Sequence, residues 1–202
     1  MSEGTPTNLP VLIFATGNVN KTKEVGSLLE GIVELKSLKD IGFTADIPED
    51  HPTLAANAIQ KAQHIYDRYG EDCFAEDTGM EVAVLDGAPG VYSARYAGPA
   101  RNDDDNMALV LKNLSDKTDR SAQFRTVVAL ILDGEIHTFE GIVKGQIAKE
   151  KTGTAGFGYD PIFVPHGFTI SFAEMDATEK NVISHRGRAI KKLVAFLKNK
   201  YV

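Results

Sequence analysis

Two apolar-rich segments, SAQFRTVVALIL (121–132) and EIHTFEGIVKGQI (135–147), are separated only by Asp133-Gly134. Asp-Gly between alternating apolar runs is a strong short-range hairpin signal, because both residues tolerate the positive φ of a two-residue turn whose twist matches the strands it joins. The chain must therefore fold around a sheet that contains a long antiparallel ribbon.

The start of the chain has a different grammar. VLIFA (Val11–Ala15) reads as a buried strand, and after the break at Thr16-Gly17-Asn18 the apolar residues Val25, Leu28, Leu29 and Ile32 follow the i, i+3, i+4, i+7 spacing of one helix face. A strand, a glycine turn and a helix form a ready anion site, since the turn offers backbone N–H groups, a hydroxyl, an amide and Lys21. Most such turns in α/β proteins are structural, with solvated lysines, and this one carries neither the Walker spacing nor the dinucleotide glycine fingerprint.

Between these two regions LKSLKDIGFTADIPEDHP reads as a short strand and a long polar loop carrying Asp46, Glu49 and Asp50. Pro52-Thr53 announces a second helix with the apolar stripe Leu54, Ala55, Ala58, Ile59, Ala62 and Ile65, ending at Tyr69-Gly70. On another face Asn57 and Lys61 lie one turn apart, placed either to reach a common point or to face solvent. CFAED is an apolar strand that runs into Glu76-Asp77 and Thr78-Gly79, and MEVAVL reads as the next strand, ahead of a Gly-Ala-Pro-Gly turn and an aromatic segment with Arg95. Asn102 caps a helix with Met107, Val110, Leu111 and Leu114 on its core face, and Asp103, Asp104 and Asp105 oppose the helix dipole there without forming a metal site. Near the C-terminus KTGTAGFGYDPIFVP sets Phe157, Tyr159 and Asp160 among glycines. The last helix, with Ile190, Leu193, Val194 and Leu197, takes Ser184 as its cap and has His185 and Arg186 in its first turn.

With 202 residues, 43% apolar, the chain can bury a sizeable core. No linker or repeat divides it, so residues 1–8 read as a loose tail and 9–202 as one domain. The single cysteine, Cys73, cannot form an internal disulfide and sits in an apolar run, as a buried thiol in a reducing compartment would. No stretch approaches the ~18 apolar residues of a membrane span, and the first ten residues lack a secretory pattern. The expected location is the cytoplasm. A net charge of −6 disfavours nucleic acids and anionic membranes, and points to a small phosphorylated ligand met by a few gathered cations and a metal.

Five segments in order, ATGNVNKTKE, TLAANAIQKA, AEDTGMEVAVLDGAPGVYSARYAG, TAGFGYDPIF and EKNVISHRGRA, together resemble the inosine triphosphate pyrophosphatases over nearly the whole chain. The resemblance implies an α/β fold with an elongated, twisted, mixed sheet flanked by helices, two lobes with a substrate cleft between them, and a homodimer. It also implies Mg²⁺-dependent hydrolysis of ITP, dITP and XTP to the monophosphate and pyrophosphate, cleansing the nucleotide pool.

By that resemblance Thr16, Gly17, Asn18, Val19, Asn20 and Lys21 would hold phosphate oxygens, with Lys61, backed by Asn57, as a second cation and Thr78 alongside. Asp77 would orient and deprotonate the attacking water. Asp77 and Glu49 would be the Mg²⁺ ligands, with Glu76 behind them, since this ion prefers a few carboxylates plus water and substrate oxygens. Phe157, with Gly158 and Tyr159 about it, would stack on the purine, while Asp160, Lys180, His185 and Arg186 would read its edge. The chain departs from the family pattern in having Glu76-Asp77-Thr78 where two aspartates and a serine are frequent, and Ala56 where a glutamate often precedes Asn57. Two other readings share these motifs: a nucleotide sensor without catalysis, and a pyrophosphatase for modified pyrimidine nucleotides.

Overall fold

The computed structural model describes residues 9–201; the tail expected over residues 1–8 lies outside them. Strand β1 (Val11–Phe14) pairs in parallel with β2 (Glu34–Ser37) on one side and with β3 (Cys73–Val82) on the other. The crossovers are helices α1 (Val19–Leu29) and α2 (Leu54–Tyr69). Parallel neighbours cannot be joined by a tight turn, so each needs such a helix. Beyond β3 the sheet turns antiparallel through β4 (Ser121–Leu132), β5 (Glu135–Ile147) and β6 (Phe163–Pro165), giving the order β2-β1-β3-β4-β5-β6. It is thus a mixed sheet flanked by helices. The hairpin forms in the expected register, Leu132 opposite Glu135, with φ of 51° at Asp133 and 81° at Gly134.

Alternation along the strands sends residues to two faces. Leu12, Phe14, Phe74, Val128 and Leu130 meet Val25 and Leu29 of α1 and Ile190, Leu193 and Leu197 of α5 (His185–Tyr201). On the opposite face Ile13, Cys73, Ala75, Ala129 and Ile131 pack on Ala58, Ala62 and Ile65 of α2. A third cluster forms where the strands continue past these helices: Met80, Val82, Phe124, Val143 and Phe163 with Phe172 and with Met107 and Val110 of α3 (Asp103–Asn113). The site lies where this cluster meets the second, with Met80 and Phe124 from the one and Ala15, Leu38 and Phe43 from the other along its walls.

Helix α2 begins and ends as its sequence dictates. Thr53 caps it by accepting from the Ala56 N–H, and Gly70 stops it in the left-handed region at φ 65°. Its polar pair does not face solvent, for Asn57 and Lys61 are both buried. Cys73 is buried as expected, and burial pushes its thiol up to about 12. Among the described residues no helix is long and apolar enough to cross a membrane.

Two expectations need correction. Helix α1 stops at Leu29, before Ile32, because Gly31 takes φ 75° and the Ile32 N–H turns back to the Leu29 carbonyl. CFAED and MEV are one ten-residue strand, paired with β4 from Cys73 opposite Ile131 to Val82 opposite Ala122; the central Thr78-Gly79 does not interrupt it because β4 supplies a continuous partner. The last helix starts where expected, after Ser184, and a further helix α4 (Ala177–Ile183), capped by Asp176, precedes it. Ser184 both ends α4 and, through Oγ, accepts the Gly187 N–H of α5.

Candidate active site

A cleft of about 940 Å³ is lined by the β1–α1 turn, the 37–49 loop, the middle of β3, residues 91–94, and the C-terminal residues Phe157–Asp160, Lys180, His185 and Arg186. Thus segments far apart in the chain converge on one cavity. Of the expected residues, Thr16, Gly17, Asn18, Val19, Lys21, Glu49, Lys61, Asp77, Thr78, Phe157, Gly158, Tyr159, Asp160, Lys180, His185 and Arg186 line it, whereas Asn20, Asn57 and Glu76 do not.

The β1–α1 turn is partly self-satisfied. Asn18 caps α1, its Oδ1 accepting from the Asn20 and Lys21 N–H groups at 2.9 and 3.2 Å, and Thr16 Oγ1 accepts the Asn18 N–H at 3.2 Å. Among the described residues the Gly17 and Val19 N–H groups have no acceptor, which leaves donors at the positive end of the helix for an anion.

Glu76 and Asp77, adjacent on β3, face opposite ways, as strand geometry requires. Asp77 Oδ1 meets Lys61 Nζ at 3.3 Å, and Oδ2 accepts from Asn57 Nδ2 at 3.2 Å. Asn57 Oδ1 in turn takes the His51 N–H at 2.8 Å, tying the acidic loop to α2. Lys61 also reaches Glu49 at 2.5 Å, and Arg95 approaches the other Glu49 oxygen at 3.6 Å. Burial pushes the Asp77 carboxyl above the usual aspartate range, and Lys61 and Lys21 do not fully compensate. Burial acts the same way on Glu49, but there Lys61 outweighs it and the carboxyl stays low.

Glu76 belongs to an enclosed ionic network. Arg186 Nε spans its two oxygens at 3.0 and 2.9 Å, Lys21 Nζ lies at 3.0 Å, and Arg186 Nη1 continues to Glu24 at 2.5 Å. Lys180 bridges Glu24 at 2.9 Å and Asp160 at 2.8 Å. Burial opposes the charge of Glu76, yet Arg186 and Lys21 hold its carboxyl well below the usual range. Lys21 is pulled below the usual lysine value, first by burial and then by Lys61 and Arg186, despite Glu76.

The Phe157 ring lies 5.2 Å from Lys180 Nζ and 5.4 Å from Arg186 Cζ. Asp160 Oδ2 accepts its N–H at 2.8 Å, and a Cβ on Gly156 would come within 2.2 Å of that same oxygen, so only glycine lets the loop close here. The His185 ring stacks on Phe124, centroids 4.5 Å apart. Its Nδ1 is buried without a hydrogen-bond partner among the described residues, although the residue lines the cleft. Burial, and next the charge of Arg186, depress its pKa well below the usual value, so the ring is neutral. A neutral ring carries one donor and one acceptor nitrogen, which suits reading the edge of a flat heterocycle.

Sequence reasoning missed Glu24, Phe124, Ser93, Arg101 and Asp103. Glu24 lies one helical turn beyond Lys21, a spacing that places both on one face, but its partners are more than 150 residues away. Phe124 reads from its alternation as ordinary core.

The fold and the cleft define a class of protein: an α/β protein whose single cleft gathers cations, carboxylates and the Phe157 ring. The family model for the Ham1 family matches residues 12–196. The chain belongs to that family. It is 53% identical over 188 residues to the dITP/XTP pyrophosphatase of Flavobacterium psychrophilum, covering 93% of this chain and 99% of that one. To the dITP/XTP pyrophosphatase of Bacillus licheniformis it is 46% identical, covering 92% and 97%. Among solved structures, a HAM1 protein from Coxiella burnetii superposes with a TM-score of 0.88 at 36% identity, covering 95% of this chain and all of that one. The Staphylococcus aureus Ham1 protein gives 0.86 at 35% identity, covering 94% and 99%.

Proposed function

We propose that the protein hydrolyses ITP, dITP and XTP, cleaving the anhydride between the α- and β-phosphates to give the monophosphate and pyrophosphate. The observation that carries the reading is Asp77, a carboxyl made more basic by burial and held by Lys61 and Asn57 in a cleft whose opposite end is fitted for a base. The names of the relatives agree with it.

Asp77 orients the attacking water and takes its proton as the oxygen closes on phosphorus and pyrophosphate departs. Lys61 and Lys21 neutralise phosphate charge, and the free N–H groups of the Thr16–Val19 turn add fixed donors that need no reorganisation. Asp77 and Glu49 meet at one ammonium, that of Lys61, so two hard oxygen donors lie on one side of the cleft. No group of three or more His, Cys, Asp or Glu among the described residues is placed to hold a metal alone. Such a donor set fits Mg²⁺, which completes its shell with water and substrate oxygens. When bound there by Asp77 and Glu49, the ion supplies charge neutralisation on the phosphates. Glu76, with both oxygens engaged by Arg186 and Lys21, stands behind as support.

At the far end Phe157 stacks on the purine, and His185, Lys180 and Asp160 meet its edge. Donors facing a 6-oxo group favour hypoxanthine and xanthine over adenine, and a site built to hydrogen-bond one edge rejects another by leaving buried groups unpaired. The protein acts as one domain over residues 9–202 and as a homodimer in the cytoplasm.

The test is product analysis with Mg²⁺ on ITP, dITP, XTP, GTP and dTTP, with light scattering for the dimer. The reading expects pyrophosphate from the first three, and it is overturned by orthophosphate as first product or by preferential turnover of dTTP.

A further inference from the structure

The acidic first turn of α3, read from sequence as serving only its own helix, has a second engagement. Asn102 already caps α3 by accepting the Asp105 N–H. Asp103 instead reaches across 55 residues of sequence, its Oδ2 accepting the Gly158 N–H at 2.8 Å, and it lines the cleft. Gly158 directly follows Phe157 in a loop where Gly153, Gly156 and Gly158 all have positive φ. A loop of that composition has many alternative conformations in solution and needs external ties to hold one of them.

The post to which it is tied is itself fixed. Asn106, one turn along α3 and buried, accepts the Ala97 N–H at 2.7 Å and donates to the Ala94 carbonyl at 3.3 Å. Residues 90–95 pack against β3, where a Cβ on Gly79 would stand 2.5 Å from the Gly90 carbonyl oxygen. Asp103 thus ties the loop that carries the aromatic ring to a rigid wall of the cleft at Gly158, next to the buried Tyr159 hydroxyl, which donates to the Ser93 carbonyl at 2.7 Å. The nearby Lys151–Asp104 pair, at 2.8 Å, joins the same two segments but is exposed on both sides and adds little.

We propose that Asp103 is a positioning residue for the base end of the cleft, holding Phe157 in its stacking place through the Gly158 N–H. This rests on the reading of Phe157 as the platform for the purine. Asp103 touches neither the base nor the phosphates in this role, so it governs affinity for a nucleotide without governing affinity for a phosphate chain alone.

The experiment compares steady-state hydrolysis of ITP with inhibition by inorganic tripolyphosphate, which has phosphates and no base, in the full-length protein. Asp103→Ala is expected to raise KM for ITP about tenfold, the scale of one hydrogen bond to a charged acceptor, with kcat within about twofold and the tripolyphosphate Ki unchanged. Asp103→Asn keeps an acceptor oxygen and should recover most of the affinity. Asp105→Ala removes an acid from the same turn, one without a side-chain partner among the described residues, and should match the parent protein. A parallel rise in the tripolyphosphate Ki, or an equal KM rise in Asp105→Ala, overturns the assignment. Phe157→Ala separates the two layers: if it leaves KM for ITP unchanged, the platform reading fails, and if it raises KM while Asp103→Ala does not, only the role of Asp103 fails.

Discussion

Glu76 and Asp77 are neighbours on one strand, yet the structure treats them oppositely. Glu76 faces α5 and α1, where Arg186 and Lys21 enclose it and keep it charged at any ordinary pH. Asp77 faces α2, where a lysine shared with Glu49 and an amide leave burial uncompensated and its proton affinity raised. The difference teaches that partner count, more than depth, decides which of two buried carboxylates has its proton affinity lowered and which has it raised. A carboxylate given two buried cations is a fixed charge, whereas one given a share of a cation retains enough basicity to accept a proton.

The largest expected effect tests the reactive member. Asp77→Asn keeps the size and one of the two acceptor oxygens but removes the proposed base, and kcat should fall by about 10²–10⁴-fold with KM changed little. Normal turnover in that variant would erase the contrast. Next comes its neighbour: Glu76→Gln leaves the buried Lys21 without its counter-charge and Arg186 with Glu24 alone, and denaturant unfolding should show a loss of about 3–5 kcal/mol. If stability is kept and only turnover falls, Glu76 belongs to the chemistry after all. Asn57→Ala removes the tie between Asp77 and the His51 backbone and should lower kcat about tenfold, the scale of a hydrogen bond to a charged group. An unchanged kcat would mean that Lys61 suffices to hold Asp77.

The smallest effect concerns His185. Arg186, Lys180 and Lys21 disfavour its protonation, Glu76 favours it, and burial decides for the neutral form. Its folded pKa lies below the unfolded value, so the unfolded chain binds more protons as pH drops. The stability it contributes is therefore complete above pH ~6.5 and declines as pH falls through that value, by at most about 1.4 kcal/mol per pH unit. His185→Phe should flatten the melting curve between about pH 6.5 and 5. A slope identical to that of the parent protein would assign it to other groups.

Much of the fold was legible in the chain. Asp133-Gly134 marked the hairpin, and Thr53 and Gly70 bracketed α2, because turn and cap chemistry is local. The end of α1 at Leu29 and the unbroken β3 were not, since glycine turns and strand continuity depend on what lies alongside. The candidate site residues were named almost entirely through motif resemblance, which spacing alone could not have supplied. Glu24 and Asp103 escaped because each looks like helix-surface charge until its partner, 156 or 55 residues away, is brought to it.

By itself the sequence determined the elements, the alternating faces of β3, and hence that Glu76 and Asp77 point apart. These follow from backbone geometry, which is encoded within a few residues. Only the tertiary structure decided which cations met which face: Arg186 and Lys21 against Glu76, Lys61 against Asp77. Long-range packing sets desolvation and charge pairing, and those two quantities, which no local spacing contains, lower the proton affinity of one acid and raise that of its neighbour.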